Sequence, residues 1–126
     1  MFTARRIETT VEPKKIEYLG DNSYYYNYDI QVSSREKQNM DSEETTVEYE
    51  TVYSFIQVRI YGKADYAKIV KAIIRAYIDQ DEEFDLINSA NRVILGINES
   101  TEATDKYKQY LELVDTIKIN VKKDLK

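Results

Sequence analysis

The sequence predicts an α+β domain: a three-stranded antiparallel sheet with a long hairpin, followed by three α-helices packed on one face. Three observations carry that prediction. Apolar residues recur with a period of two before Gly62 and about 3.6 after it. Polar, turn-forming stretches separate the periodic runs. The chain of 126 residues is the length of one domain. We therefore read residues 1–126 as a single domain, β-rich over 1–62 and helical over 63–126.

The first strand is expected over residues 14–19, opened by Pro13, which suits an edge. Gly20-Asp21-Asn22 is a turn signal. Beyond it, Tyr24, Tyr26, Tyr28, Ile30 and Val32 alternate with Tyr25, Asn27, Asp29 and Gln31. The alternation directs the first set to the core and the second to solvent. Residues 33–44 carry almost no apolar side chain and read as a mobile loop. A second long strand follows over 45–61. Its apolar parity changes within the run, from Val47, Tyr49, Tyr53 and Phe55 to Val52, Ile56, Val58 and Ile60. A bulge or two-sided burial near residues 53–55 reconciles the two sets.

The first helix is expected over 64–78, with Tyr66, Ile69, Val70, Ile73, Ile74 and Tyr77 as its apolar face. Asp79 caps the next helix, and Glu82 completes a capping-box pattern. That helix presents Phe84, Leu86, Ile87, Ala90, Val93 and Ile94, and Gly96 suits its C-terminal left-handed position. The last helix, over 102–125, carries a stripe of Tyr107, Tyr110, Leu111, Val114, Ile117, Val121 and Leu125, about 30 Å long.

Composition narrows the chemistry. The chain has no cysteine and no histidine, which removes disulfides, thiolate nucleophiles, the usual zinc ligands and the histidine proton shuttle. Serine–histidine and cysteine–histidine catalysis are excluded with them. The net charge of −5 argues against nucleic acid as a partner, since phosphate binding needs a basic face. The mean hydropathy is −0.62, and no apolar run approaches the roughly 20 residues of a membrane span. No secretory signal follows Arg5-Arg6, so a cytoplasmic chain or one joining an assembly built there is expected.

Few motifs suggest a site. Asp79, Asp81 and Glu83 alternate as in the opening of a calcium loop, but Phe84 and Ala90 stand where the pattern needs glycine and glutamate. Helix capping accounts for the acids without a metal. Asp41-Ser42-Glu43-Glu44 reads as solvated loop, and Asn98-Glu99-Ser100 matches a glycosylation sequon that has no role without secretion. Arg5-Arg6 and Lys122-Lys123 suit phosphate or acidic protein, and the lysines also suit a helix C-terminus. Neither a glycine-rich phosphate loop nor a nucleophile elbow is present, so no cofactor is expected.

Twelve tyrosines and no tryptophan are the compositional oddity. Tyrosine offers rigid contact area with a polar tip and is enriched at interfaces. Tyr25, Asn27 and Asp29 on the outward face of their strand, and Tyr107 and Tyr110 on the last helix, are the candidate protein-contact residues.

The run Tyr61-Gly62-Lys63-Ala64-Asp65-Tyr66-Ala67-Lys68-Ile69-Val70-Lys71-Ala72-Ile73-Ile74-Arg75-Ala76-Tyr77, followed by Asp79-Gln80-Asp81-Glu82-Glu83, resembles small accessory proteins of tailed phages and prophages of gut bacteria of the Bacteroidales type. The likeness spans residues 49–123. It implies a virion structural or adaptor protein with no catalytic residues, whose partners are other virion proteins or copies of itself. The alternative is a small regulatory or inhibitory binding module.

Overall fold

The centre of the sheet is the long hairpin. In the computed structural model, which describes residues 2–37 and 48–126, the elements run β1 (Ile7–Thr9), β2 (Ile16–Tyr18), β3 (Ser23–Glu36), β4 (Tyr49–Tyr61), α1 (Tyr66–Tyr77), α2 (Gln80–Ile94) and α3 (Thr101–Asp124). The acidic stretch at Asp41-Ser42-Glu43-Glu44 lies outside the described residues. The described residues form an antiparallel sheet in the order β1-β4-β3-β2, so the α+β class stands with four strands in place of three. The added strand, Ile7–Thr9, is too short for any period to reveal. The strand expected over 14–19 shortens to Ile16–Tyr18. Residues 33–36, expected in the loop, extend β3, with Ser33 opposite Val52 and Glu36 opposite Tyr49.

The parity change in β4 has its cause in β3. Tyr28 pairs with Ile56, but the next registered pair is Gln31 with Ser54. Asp29 and Ile30 therefore share one place opposite Phe55, and Asp29 takes the left-handed conformation at φ 54°, which aspartate tolerates better than most residues. The bulge lies on β3 rather than at residues 53–55, and it reverses the faces beyond it. Val32, expected in the core with Tyr24, Tyr26 and Tyr28, is 65% exposed. Burial is two-sided at the crossing: the neighbours Phe55 and Ile56 are 3% and 2% exposed.

Arg6 holds the bulge in place. Its guanidinium donates to the Asp29 carbonyl oxygen at 2.6 Å, the Ser54 carbonyl oxygen at 3.0 Å, Ser54 Oγ at 2.8 Å and Asp29 Oδ2 at 3.1 Å. Carbonyls freed from a regular ladder need partners, and one planar fork supplies them on both strands.

β1 and β2 sit on opposite edges, so residues 10–15 must cross the sheet. Asn27 Nδ2 donates to the Lys14 carbonyl at 2.6 Å, which puts the crossing on the face away from the helices. The Asn27 amide also donates to the Lys15 carbonyl at 2.8 Å, and Gln57 Nε2 donates to Asn27 Oδ1 at 3.1 Å. Asn27 was expected to face solvent; this strap leaves it 1% exposed.

On the other face, Tyr24, Tyr26, Ile56 and Ile60 pack against Ile69 and Ile73 of α1 and Ile117 and Val121 of α3. No residue of α2 belongs to this core. Instead α2 lies along α3 through a second cluster of Ile78, Leu86 and Tyr110, with Phe2, Tyr107 and Val114 against it. Two helices therefore cover the sheet rather than three. For the same reason Phe84 and Ile94, expected on the apolar face of α2, are exposed, as are Leu111 and Leu125 of α3 and, marginally, Tyr66 of α1.

The helix termini follow their sequence signals. Asp65 Oδ1 accepts from the Ala67 amide at 3.1 Å, Asp79 Oδ1 from the Glu82 amide at 2.8 Å, and Ser100 Oγ from the Ala103 amide at 3.4 Å. Gly96, at φ 78°, closes α2: the Ile97 amide reaches the Arg92 carbonyl at 2.8 Å and the Gly96 amide the Val93 carbonyl at 3.0 Å. That pair of bonds satisfies carbonyls the helix end would otherwise orphan. Among the described residues no helix is long and apolar enough to cross a membrane.

Candidate functional site

The five residues singled out from the sequence do not form one surface. Tyr25 is half-buried on the outward face, in register with Glu17 of β2 and Arg59 of β4. Asn27 is enclosed by the strap, and the exposed Asp29 is engaged by Arg6 and by Gln31 Nε2 at 3.1 Å. Tyr107 and Tyr110 stack on each other at 6.3 Å between ring centroids and 15° between planes. Phe2 meets Tyr110 edge-on at 6.2 Å. The pair on α3 thus belongs to the packing between helices.

That packing is centred on a charge. Glu83 Oε1 accepts from Arg75 Nη2 at 3.0 Å, and its Oε2 accepts from the Tyr110 hydroxyl. One carboxylate therefore ties α1, α2 and α3 together. The Arg75 hydrogen bond draws the Glu83 carboxyl below its usual range, against the opposing effect of burial. Burial first, then the bond to Glu83, pushes the Tyr110 hydroxyl up to about 12. Both shifts fix the charge states in which the node holds: carboxylate, guanidinium and neutral phenol. Such a node is a fastener rather than a proton carrier, since neither acid titrates near neutral pH.

Beside this node opens a cleft of about 780 Å³. Its floor is the apolar trio Phe2, Ile78 and Leu86, and its rim carries Glu82, Asp85 and Glu102. Glu82 and Glu102 come from the first turns of α2 and α3, where acidic residues are favoured by the helix dipole, and Asp85 from the next turn of α2. Lys106 is the one cation at the rim, so the lining is net negative. Glu82, read from the sequence as part of a capping box, is thus brought together with a second helix start and with the N-terminal segment, a juxtaposition the spacing of residues along the chain does not reveal.

A smaller polar recess of about 260 Å³ lies where α3 ends on the sheet, lined by Lys15, Asn27, Asp29, Asn120, Lys123 and Asp124. Its polar groups are largely spoken for. Asp124 accepts from Tyr26 at 2.5 Å and from Lys15 at 2.7 Å, and Asn120 donates to the Tyr28 hydroxyl at 3.1 Å. Burial, reinforced by Asp124, drives the Tyr26 hydroxyl far above the ordinary tyrosine range, so it is held as a neutral donor. Among the described residues no group of three or more potential metal-ligating side chains comes together.

The pairings that sequence reading missed have an identifiable signal in one case. Glu83, Leu86 and Ala90 follow the i, i+3, i+7 spacing of the buried face of α2, and an acid on that stripe calls for a cation. Arg6 carried no such signal. Comparison with known proteins finds no matching family model, no matching curated protein and no matching solved structure.

Proposed function

We propose that this chain is a non-enzymatic structural or adaptor protein of a tailed-phage particle, making protein–protein contacts in a head or tail assembly. One observation carries the reading. β3 and β4 are 14 and 13 residues long, whereas the flanking β1 and β2 have three residues each. Beyond residues 53–55 of β4 and 24–27 of β3, the hairpin continues as a two-stranded arm whose edges no other strand among the described residues pairs. Val32 and Tyr49 are exposed along it. Free strand edges with exposed aromatic and aliphatic side chains suit pairing with another chain. The likeness of residues 49–123 to phage accessory proteins supports the particle as the setting.

Mass spectrometry of purified phage particles tests this directly. The protein should be present in fixed stoichiometry with the head or tail proteins; its absence from infectious particles would refute the role. The acid-rimmed cleft favours a second reading, a binding module that occupies or receives a basic surface of another protein. Recovery only from infected-cell extract, bound to a single enzyme, would favour that alternative.

A further inference from the structure

We infer that copies of this chain associate head to tail, the lysine-rich end of α3 in one copy seating in the acid-rimmed cleft of the next. Two surfaces of the molecule are complementary. The cleft offers an apolar floor of Phe2, Ile78 and Leu86 beneath Glu82, Asp85 and Glu102. The far end of α3 offers Lys118, Lys122 and Lys126 with Ile119 and Leu125, all five exposed. Spacing places Lys118, Ile119 and Lys122 on one side of the helix, with Leu125 at its C-cap and Lys126 just beyond its end. Cations interleaved with aliphatics thus face a concavity of acids over an apolar floor.

Neither set of charges is satisfied within the molecule. Among the described residues, none of these acids or lysines lies within salt-bridge distance of an opposite charge. Nor can a copy serve itself. Glu102 and Lys122 stand at opposite ends of the same helix, separated by about 30 Å at 1.5 Å per residue. A lysine side chain spans only a fraction of that distance. A two-fold contact through the cleft would oppose acids to acids, and one through the lysine face would oppose cations to cations; like charges across an interface are strongly disfavoured. A reciprocal two-fold dimer needs both patches on one face, but at 3.6 residues per turn Glu102 and Lys122 stand about 160° apart around α3. The patches face opposite ways, and head-to-tail contact is the arrangement that pairs them. Such a contact uses two different patches, so it propagates into a ring or an open filament.

The inference deepens the self-association within the proposed assembly role and rests on that role for its use, but its test does not. Particle mass spectrometry and sedimentation of the isolated protein can fail independently. Sedimentation of the wild-type chain in about 50 mM salt should show mass rising with concentration past the dimer, and raising salt to about 500 mM should weaken association by about tenfold, because the charges are at the protein surface. Asp85→Lys, which damages the cleft, and Lys122→Glu, which damages the lysine face, should each sediment as a monomer. Mixed in equal amounts they should associate again, since one keeps its lysine face, the other keeps its cleft, and the two reversed charges complement each other. A wild-type monomer at every concentration and salt overturns the inference. So does a wild-type chain that stops at a dimer, or a mixture that stays monomeric.

Discussion

Replacing Glu83 with glutamine removes one charge from the junction of three helices. The Glu83 side chain is 13% exposed and that of Arg75 31%, and Arg75 Nη1 is already a buried donor without a partner among the described residues. Glutamine keeps one acceptor oxygen, so one of the two hydrogen bonds can survive. The other is lost, and the guanidinium is left without its anion. A hydrogen bond to a charged group contributes about 1.5–3 kcal/mol, and breaking a fully buried pair costs about 3–5 kcal/mol. The partly exposed guanidinium places Glu83→Gln lower, at about 2–3 kcal/mol. For a chain of this size that is a fall in Tm of about 8–12 °C. Urea unfolding at pH 7, followed by far-ultraviolet circular dichroism, measures it.

The dependence on pH makes the assignment specific. The folded Glu83 carboxyl titrates below its unfolded value, so its contribution is complete above the unfolded value, about 4.3. It is lost as pH falls through the lower folded value. The gap between wild type and Glu83→Gln should therefore be constant from about pH 6 to 8 and close as pH falls through the lowered folded value. A difference below about 0.5 kcal/mol at pH 7, or an equal difference at both ends of the range, would refute the account of the node.

Arg6→Lys cannot reproduce a planar fork reaching two carbonyls and two side chains, and should cost about 2 kcal/mol by urea unfolding. Full stability in the lysine variant would show that charge alone holds the bulge. Asp79→Ala removes the α2 cap and should cost about 1 kcal/mol in the same assay. In alkaline titration followed by tyrosine absorbance, Tyr26 and Tyr110 should remain neutral past the ordinary tyrosine value of about 10. Because the folded phenol of Tyr110 is pushed up to about 12, stability should fall as pH rises between the ordinary tyrosine value and that one. A single transition for all the tyrosines would contradict this.

The helices were the most legible part, because their periodicity, caps and the closing glycine are local and agree with one another. Asp79 and Gly96 act within a few residues of where they stand. The strand pattern was legible only as far as Tyr28. Past it a single extra residue exchanged the faces, and Asp29 is an ordinary residue with no outward mark of the conformation it adopts. Phe84 and Ile94 misled for a different reason: α2 packs on one helix rather than on the sheet, so a narrow stripe suffices to bury it. The cleft could not be read at all, since Phe2, Asp85 and Glu102 are far apart in sequence. Distance along the chain hides what three elements bring to one place.

The strap of residues 10–15 also sets an order of events. Residues 2–18 have no structure of their own to rest on: β1, the crossing and β2 are each defined by an edge or a face of the hairpin that follows them in the chain. The hairpin must therefore be in register, bulge included, before these residues can settle. Their docking closes loops of some 10–50 residues and belongs to the late side of the folding barrier. Substitutions at Ile7 or Ile16 should accordingly hasten unfolding while leaving the folding rate almost untouched, so the strap acts as a latch on how long the folded molecule lasts.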